Sequence, residues 1–372
     1  MKKVLMASSA IVGAAVLAAS PAAAQELTLN AFQVFVASGG DADIDDSDRG
    51  FAFSTNTEVH VKGEIMADNG ITFGFRVEFE ADSTSVSDTD SADGSEGDGG
   101  SLTNVDENSI YAQGNFGKIE FGNNDGAEDT FMHNGSNSGV DYGGIGNPTS
   151  NFLSRAYQGD ARTSVDFANG VDSSDGTKIT YTTPNFNGFS AGISYTPDTS
   201  DGSDGNAFNA EDSSGIHDHI GVGLGFDGEF NGVGVELGLV GGIGEADAEP
   251  EDTVYGIGGG FAISYAGFTF AAGAIYDDAD GNGGEGHAFD AGIGYSQGPW
   301  SFSVNGIYSE DDDSDDELLA GSANIGYSVY PGVRVFLTGF VGNEDYGSAT
   351  EAEEGRDDND IVALTSGIAV SF

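Results

Sequence analysis

His60, Lys62 and Arg76 alternate with Glu58, Glu64, Glu78 and Glu80 along two neighbouring amphipathic segments, 51–67 and 71–81. Charges this close could transfer protons, hold a metal, or set the electric field of an aqueous passage. Proton transfer in an enzyme needs a positioned nucleophile and base, and the five histidines (His60, His133, His217, His219 and His287) lie in no nucleophile motif. His217-Asp218-His219 offers only two metal ligands, within an acidic stretch. DADGNG at 278–283 starts like a calcium-binding loop, but its twelfth position is Phe289 where that loop needs glutamate. Cysteine is absent, which removes thiol chemistry and cysteine-ligated metals. A field along a passage is the leading use, with divalent-cation binding left open.

The elements carrying these charges alternate strictly. In ITFGFRVEFEAD, residues 71–82, Ile71, Phe73, Phe75, Val77 and Phe79 occupy one face of a strand, with Arg76, Glu78 and Glu80 on the other. Paired amphipathic blocks joined by short Gly, Asn or Pro turns recur: 51–67 with 71–81, 108–113 with 118–122, 177–183 with 189–196, and 216–226 with 233–243. They continue as 253–265 with 268–276, 287–295 with 300–308, and 318–329 with 333–341. Single strands at 27–37 and 361–372 bring the predicted total to sixteen. The remaining connections, 38–50, 82–107, 123–176, 197–215, 244–252, 277–286, 309–317 and 342–360, are long and polar and alternate with the short turns. All the long loops therefore fall at one end, and the last strand can close against the first. The fold class is all-β: a transmembrane antiparallel barrel with short periplasmic turns and long extracellular loops.

The barrel must be inside out. Sixteen strands closed around an apolar interior would enclose more volume than side chains can fill. With water inside, Arg76, Glu78 and Glu80 line a bore, while Phe73, Phe75 and Phe79 meet lipid. Strand blocks of about ten residues, rising roughly 3.3 Å each and tilted near 45°, span about 23 Å, close to the hydrocarbon thickness. Ala67 and Ile71 share a face, so the turn Asp68-Asn69-Gly70 sets the register, with Lys62 opposite Arg76 and Gly63 opposite Phe75. Two adjacent cations repel, and acids across the bore are expected to compensate them.

Lys2 and Lys3, the apolar run Val4–Leu17 and the A-x-A site ending at Ala24 predict a secretory signal peptide over 1–24, leaving 25–372 as the barrel. Sixty-two acidic residues stand against 11 basic ones, a net charge of −51 that excludes nucleic acid as a partner. Such acidity can mean disorder, but here charge and apolar residues are segregated. A parallel β-helix would need a nine-residue glycine and aspartate repeat, which is missing.

Three stretches resemble Gram-negative general porins, in particular the alphaproteobacterial type: NSIYAQGNFGKIEFGNNDGAED at 108–129, ITYTTPNFNGFSAGISYTP at 179–197, and the last strand IVALTSGIAVSF. The resemblance implies a homotrimer that passes small hydrophilic solutes, with the third long loop, 123–176, folded inward to constrict the pore. It implies an acidic loop set, Asp125, Glu128, Asp129 and Asp141, facing a basic wall of His60, Lys62 and Arg76, joined by Arg155 and Arg162 from the far end of the loop. Glu58, Glu78 and Glu80 dilute that wall as lumen charges. Phe372 resembles the terminal aromatic read by the barrel-assembly machinery. Outer-membrane lipid and lipopolysaccharide are the other implied partners.

The acidic loops, DADIDDSD at 41–48 and EDDDSDDE at 310–317 among them, read as solvated, self-repelling surface. The other reading is divalent-cation binding, and calcium somewhere in these loops is expected, with no cofactor required. Acidic groups at the mouth favour cations, so the expectation is a weakly to moderately cation-selective channel. A substrate-specific channel of the same fold is the alternative.

Overall fold

The computed structural model describes residues 25–42, 50–80, 104–139, 156–157, 161–165, 171–173, 176–199, 216–246, 252–279, 284–348, 350 and 358–372. The predicted signal peptide lies outside them. Sixteen strands form one closed antiparallel sheet: β1 (Gln25–Ala42), β2 (Phe51–Met66), β3 (Thr72–Glu80), β4 (Asn104–Gly114), β5 (Gly117–Asn123) and β6 (Thr177–Thr182). β7 (Phe189–Asp198), β8 (Ile216–Phe230), β9 (Val233–Ala246), β10 (Asp252–Tyr265) and β11 (Phe268–Ala279) follow. β12 (Gly284–Gln297), β13 (Trp300–Asp311), β14 (Asp316–Tyr330), β15 (Val333–Asp345) and β16 (Asp358–Ser371) complete it. Every strand pairs with its sequence neighbours, and β1 pairs with β16 from Phe32↔Ser371 to Ala42↔Ile361. No strand edge is left open, which a sheet in hydrocarbon requires.

The short turns follow their residues. Gly70, with φ 80°, donates its N–H to the Ala67 carbonyl at 2.9 Å, and Asn69 Oδ1 accepts from Ile71 N at 3.1 Å. That geometry gives the expected register, Lys62↔Arg76 and Gly63↔Phe75. Asn231 and Gly232, both at positive φ, make a two-residue turn, so β8 runs through DGEF to Phe230 where a longer connection is predicted.

At the other end several strands reach further than the sequence suggests. β13 and β14 stay paired to Asp311↔Asp316, leaving a four-residue turn where a polar loop over 309–317 is expected. Asp311 Oδ1 organises it by accepting from Asp313 N at 3.2 Å, Ser314 N at 2.8 Å and Ser314 Oγ at 2.9 Å. Aspartate's habit of bonding nearby backbone amides makes this acidic run a tight turn.

The outer face is apolar. Phe73, Phe75, Ile110, Leu224, Ile257, Phe270, Val304 and Leu364 are all exposed there, as a lipid-facing band demands. The inner face departs from the expected purely polar lining. Val240, Val254, Ile275, Ile307, Leu318, Phe340 and Ile361 point inward and are buried, packed with Ala156, Ala161, Val165 and Val171 of the connection between β5 and β6. That connection covers the inner wall with its own small core.

Candidate pore lining

The charged patch on β2–β5 is larger than predicted and compensated differently. Arg76 Nε lies 3.3 Å from Glu78, and the guanidinium also pairs with Glu107. Lys62 lies 3.3 Å from Glu64, and Lys118 pairs with Glu120. His60 reaches Glu58 at 2.8 Å through Nε2 and Glu78 at 2.9 Å through Nδ1. Tyr111 ties the patch together. Its hydroxyl donates to Glu64 at 2.8 Å, and its ring lies 4.9 Å from Lys118 Nζ. The partners of Lys62 and Arg76 are therefore on adjacent rungs of the same wall, not across the bore as expected. Alternate positions on one strand, and Glu107 from the next, bring carboxylates within reach at no cost in loop ordering. Glu80 stands opposite Glu58 in the β2–β3 ladder.

Lys118, Glu107 and Glu120 were missing from the predicted set. Lys118 and Glu120 alternate with Ile119 and Phe121 on β5, so period-2 reading finds them. Glu107 shares its face with Ser109 and Tyr111, but its strand begins earlier than its acidic residues suggest. A bulge, Val77↔Asn108 followed by Phe79↔Val105, turns Val105 outward beside Phe79.

Against this patch lies the start of the third loop. A recess of about 510 Å³ is lined by Arg76, Lys118 and Glu120 from the wall, Asp125 and Thr130 from the loop, and Thr182 from β6. Asp125 is exposed. Asp129 is half-buried on the one-turn helix α1 (Ala127–Thr130), where its carbonyl accepts from Met132 N at 2.9 Å.

Two predicted lining residues are instead anchors. Glu128 has no solvent exposure; its carboxylate accepts from Ser173 N at 3.2 Å, Ser173 Oγ at 2.5 Å and Ser194 Oγ at 2.9 Å, with His219 Nδ1 at 3.9 Å. It joins both ends of the loop to β7 and β8. Arg162 is buried in an ion pair with Asp277 on β11, and its carbonyl accepts from Ser309 Oγ at 2.6 Å. Burial pushes the Arg162 guanidinium down from its usual value, while Asp311 and Asp312 act in the opposite sense. A charged residue type in a loop suggested exposure; tertiary docking buried both. Arg155 and Asp141 lie outside the described residues.

The loop continues along the inner wall. Asp290 accepts from Gly135 N at 2.7 Å, Asn305 Nδ2 donates to the Gly135 carbonyl at 2.8 Å, and His219 Nε2 lies 2.7 Å from the Val171 carbonyl. Wall glycines make room for it. A Cβ on Gly223 would fall 2.5 Å from the Phe131 ring, and one on Gly260 only 2.0 Å from the His133 carbonyl. At the barrel seam, Phe372 N donates to the Ala31 carbonyl at 2.9 Å while its side chain is exposed.

A closed sheet with an apolar exterior, a charged interior and a loop docked inside defines a transmembrane channel. A family model described as Gram-negative porin matches residues 7–356. This chain belongs to that family, and its barrel is a non-enzymatic channel of the outer membrane. Solved structures share the fold at low identity. A mutant of the Rhodopseudomonas blastica porin is 15% identical, with a TM-score of 0.58, covering 93% of this chain and 100% of that one. An anion-selective porin from Comamonas acidovorans is 15% identical with a TM-score of 0.63, covering 94% of this chain and 100% of that one. An outer membrane protein of Vibrio cholerae lacking its loop L8 is 13% identical with a TM-score of 0.59, covering 94% and 100%. Comparison with curated proteins returns no match.

Proposed function

We propose that the barrel passes small hydrophilic solutes and ions by passive diffusion, with a weak preference for cations. The observation that carries the preference is the make-up of the wall patch. Lys62, Arg76 and Lys118 contact or adjoin the five carboxylates Glu58, Glu64, Glu78, Glu107 and Glu120, and Asp125 faces them across the recess. The sum is negative. The carboxylates lie deeper than the cations, however: the side chain of Glu107 is 7% exposed and that of Lys62 46%. The water-facing layer is thus more positive than the sum, which keeps the preference weak.

The narrow zone in this reading lies between the wall patch (His60, Lys62, Arg76, with Lys118) and the loop start (Asp125, with Asp129). The homotrimer, contact with lipopolysaccharide and recognition of Phe372 during assembly belong to the same proposal and rest on the family resemblance; delivery by a cleaved signal peptide rests on Lys2, Lys3, the apolar run after them and the site ending at Ala24, and calcium on the acidic loops. Selectivity belongs to this chain's own charges, and a neighbour at 15% identity shares only the fold. Reversal potentials across a planar bilayer under a salt gradient test it: a small cation preference is expected, and an anion preference refutes it.

The recess favours a second reading, a substrate-specific channel, because Thr130 and Thr182 line it beside both signs of charge. Block of single-channel current by sugars or oligopeptides at low concentration would support that reading; conductance indifferent to both supports general diffusion.

A further inference from the structure

On the outer wall, just past the aromatic residues at the long-loop end, one cluster has no part in the pore. His287 on β12 faces outward, two residues beyond lipid-exposed Phe289, and pairs across the ladder with Glu310 on β13. Asp312 follows on the same side; its backbone N–H continues the ladder by donating to the Glu285 carbonyl at 2.7 Å. His287 Nε2 is 3.7 Å from Glu310, and His287 Nδ1 is 3.8 Å from Asp312. One ligand atom from each of the three can be chosen so that all lie within 4.8 Å of one another.

We propose that His287, Glu310 and Asp312 form a site for a borderline divalent cation of the Zn²⁺ class. The spacing carries the argument. These contacts are too long for hydrogen bonds. The two carboxylates approach different ring nitrogens, but with one ligand atom taken from each residue all lie within 4.8 Å of one another. Two ligands about 2.1 Å from a shared tetrahedral ion stand about 3.4 Å apart, so rotamer adjustments bring one nitrogen and both carboxylates onto one metal. The second cluster with a similar composition, Glu58, His60 and Glu78, differs here: its imidazole is already hydrogen-bonded to Glu58 at 2.8 Å and paired with Glu78 at 2.9 Å, and Arg76 lies 3.3 Å from Glu78.

The cluster is also held in place. Tyr308 donates its hydroxyl to Glu310 at 2.9 Å, and the His287 ring lies 5.5 Å from Phe289, edge to face, and 6.1 Å from Tyr308. Outer partners that fix ligand orientation are a recurring property of metal sites. Glu285, fixed by the Tyr276 hydroxyl at 2.6 Å, adds negative charge nearby. Among the described residues no lysine or arginine forms an ion pair with Glu310 or Asp312. Arg162, whose charge reaches Asp312 from the inner side, is paired with Asp277. The imidazole sets the class, because calcium and magnesium take oxygen ligands whereas zinc, copper and nickel accept nitrogen. Coordination positions left open face the headgroup layer, where water completes the shell.

The test is Zn²⁺ titration of the refolded barrel in detergent by calorimetry, with Co²⁺ absorption as a second readout. Wild type should bind one equivalent in its tightest class, and a tenfold excess of Ca²⁺ should not displace it. H287A should weaken that class at least tenfold, E310Q and D312N should each weaken it, and H217A should retain it. All remain channels of unchanged conductance, because the cluster faces away from the bore. Zn²⁺ binding by H287A equal to wild type, or displacement by equimolar Ca²⁺, overturns the proposal. Should H287A fail to refold, undiminished binding by both E310Q and D312N overturns it equally.

Discussion

Replacing Glu128 by alanine tests whether the third loop is locked to the wall by one buried carboxylate. Three donors converge on that group: Ser173 N, Ser173 Oγ and Ser194 Oγ, at 3.2, 2.5 and 2.9 Å. A hydrogen bond to a charged group contributes about 1.5–3 kcal/mol. The hydroxyls can rotate towards other acceptors, and Ser194 Oγ still accepts from Ala127 N at 3.1 Å, so the full sum overstates the loss. The Ser173 N–H cannot rotate, and an orphaned buried donor costs about 1–3 kcal/mol. Together these suggest about 3 kcal/mol against docking, roughly a hundredfold shift toward released loop. No ladder hydrogen bond is touched, so the barrel itself should persist. Trypsin supplies the assay. Between Lys118 and Lys178 the chain offers only Arg155 and Arg162, and Arg162 is buried in the docked loop. E128A should be cut at Arg162 at least tenfold faster and should show noisier open-channel current. E128Q, which keeps the volume and one acceptor oxygen, should fall between E128A and wild type. An E128A channel as quiet and as protease-resistant as wild type refutes the latch.

Other predictions use the same geometry. Arg162→Ala leaves the Asp277 carboxylate buried and alone, which should cost about 3–5 kcal/mol; melting in detergent should fall, and the double variant R162A/D277A should recover part of the loss. Gly260→Val places a Cβ 2.0 Å from the His133 carbonyl and should displace the loop, raising conductance, whereas Gly339→Val, with nothing within 4 Å, should be silent. Removing two wall carboxylates together, E78Q with E107Q, should move the reversal potential toward anions. The shift should be larger in 0.01 M salt, where the Debye length is about 30 Å, than in 1 M salt, where it is about 3 Å.

The barrel was legible because its signals are local. Alternation such as Phe73, Phe75 and Phe79 against Arg76 and Glu78 fixes faces, and Asp68-Asn69-Gly70 fixes a register to the residue. Two things hid from that reading. Strand ends rich in acid, such as Ser309–Asp311, lack β-forming composition, yet their pairing continues the ladder beyond the lipid band. Loop docking is non-local: nothing near Glu128 in sequence announces Ser173, 45 residues on, or Ser194, 66 residues on. The same docking explains Val240, Ile275 and Leu318. Apolar residues on both faces of a strand look like broken alternation until a loop covers one of them.

This division of labour also bears on the charge. A net of −51 suggests a channel strongly repelling anions, but many carboxylates do not act on the bore in that simple way. Glu128, Asp277 and Asp290 bind loop donors, and Asp316 accepts from Gly347 N at 2.8 Å to tie two connections together. Their charge is matched by hydrogen bonds or by Arg162. Charges further from the bore than a Debye length, about 8 Å at physiological salt, are largely screened from it. In the proposed reading, the field that a permeating ion meets would be set instead by a small group: Lys62, Arg76 and Lys118 over Glu58, Glu64, Glu78, Glu107 and Glu120, with Asp125 lining the same recess. Two consequences follow for variants. Neutralising rim acids should leave reversal potentials near wild type at moderate salt, whereas neutralising one buried wall carboxylate, Glu107, should free the Arg76 guanidinium and shift selectivity by more than its single charge, because Arg76 would then reach the bore with less compensation.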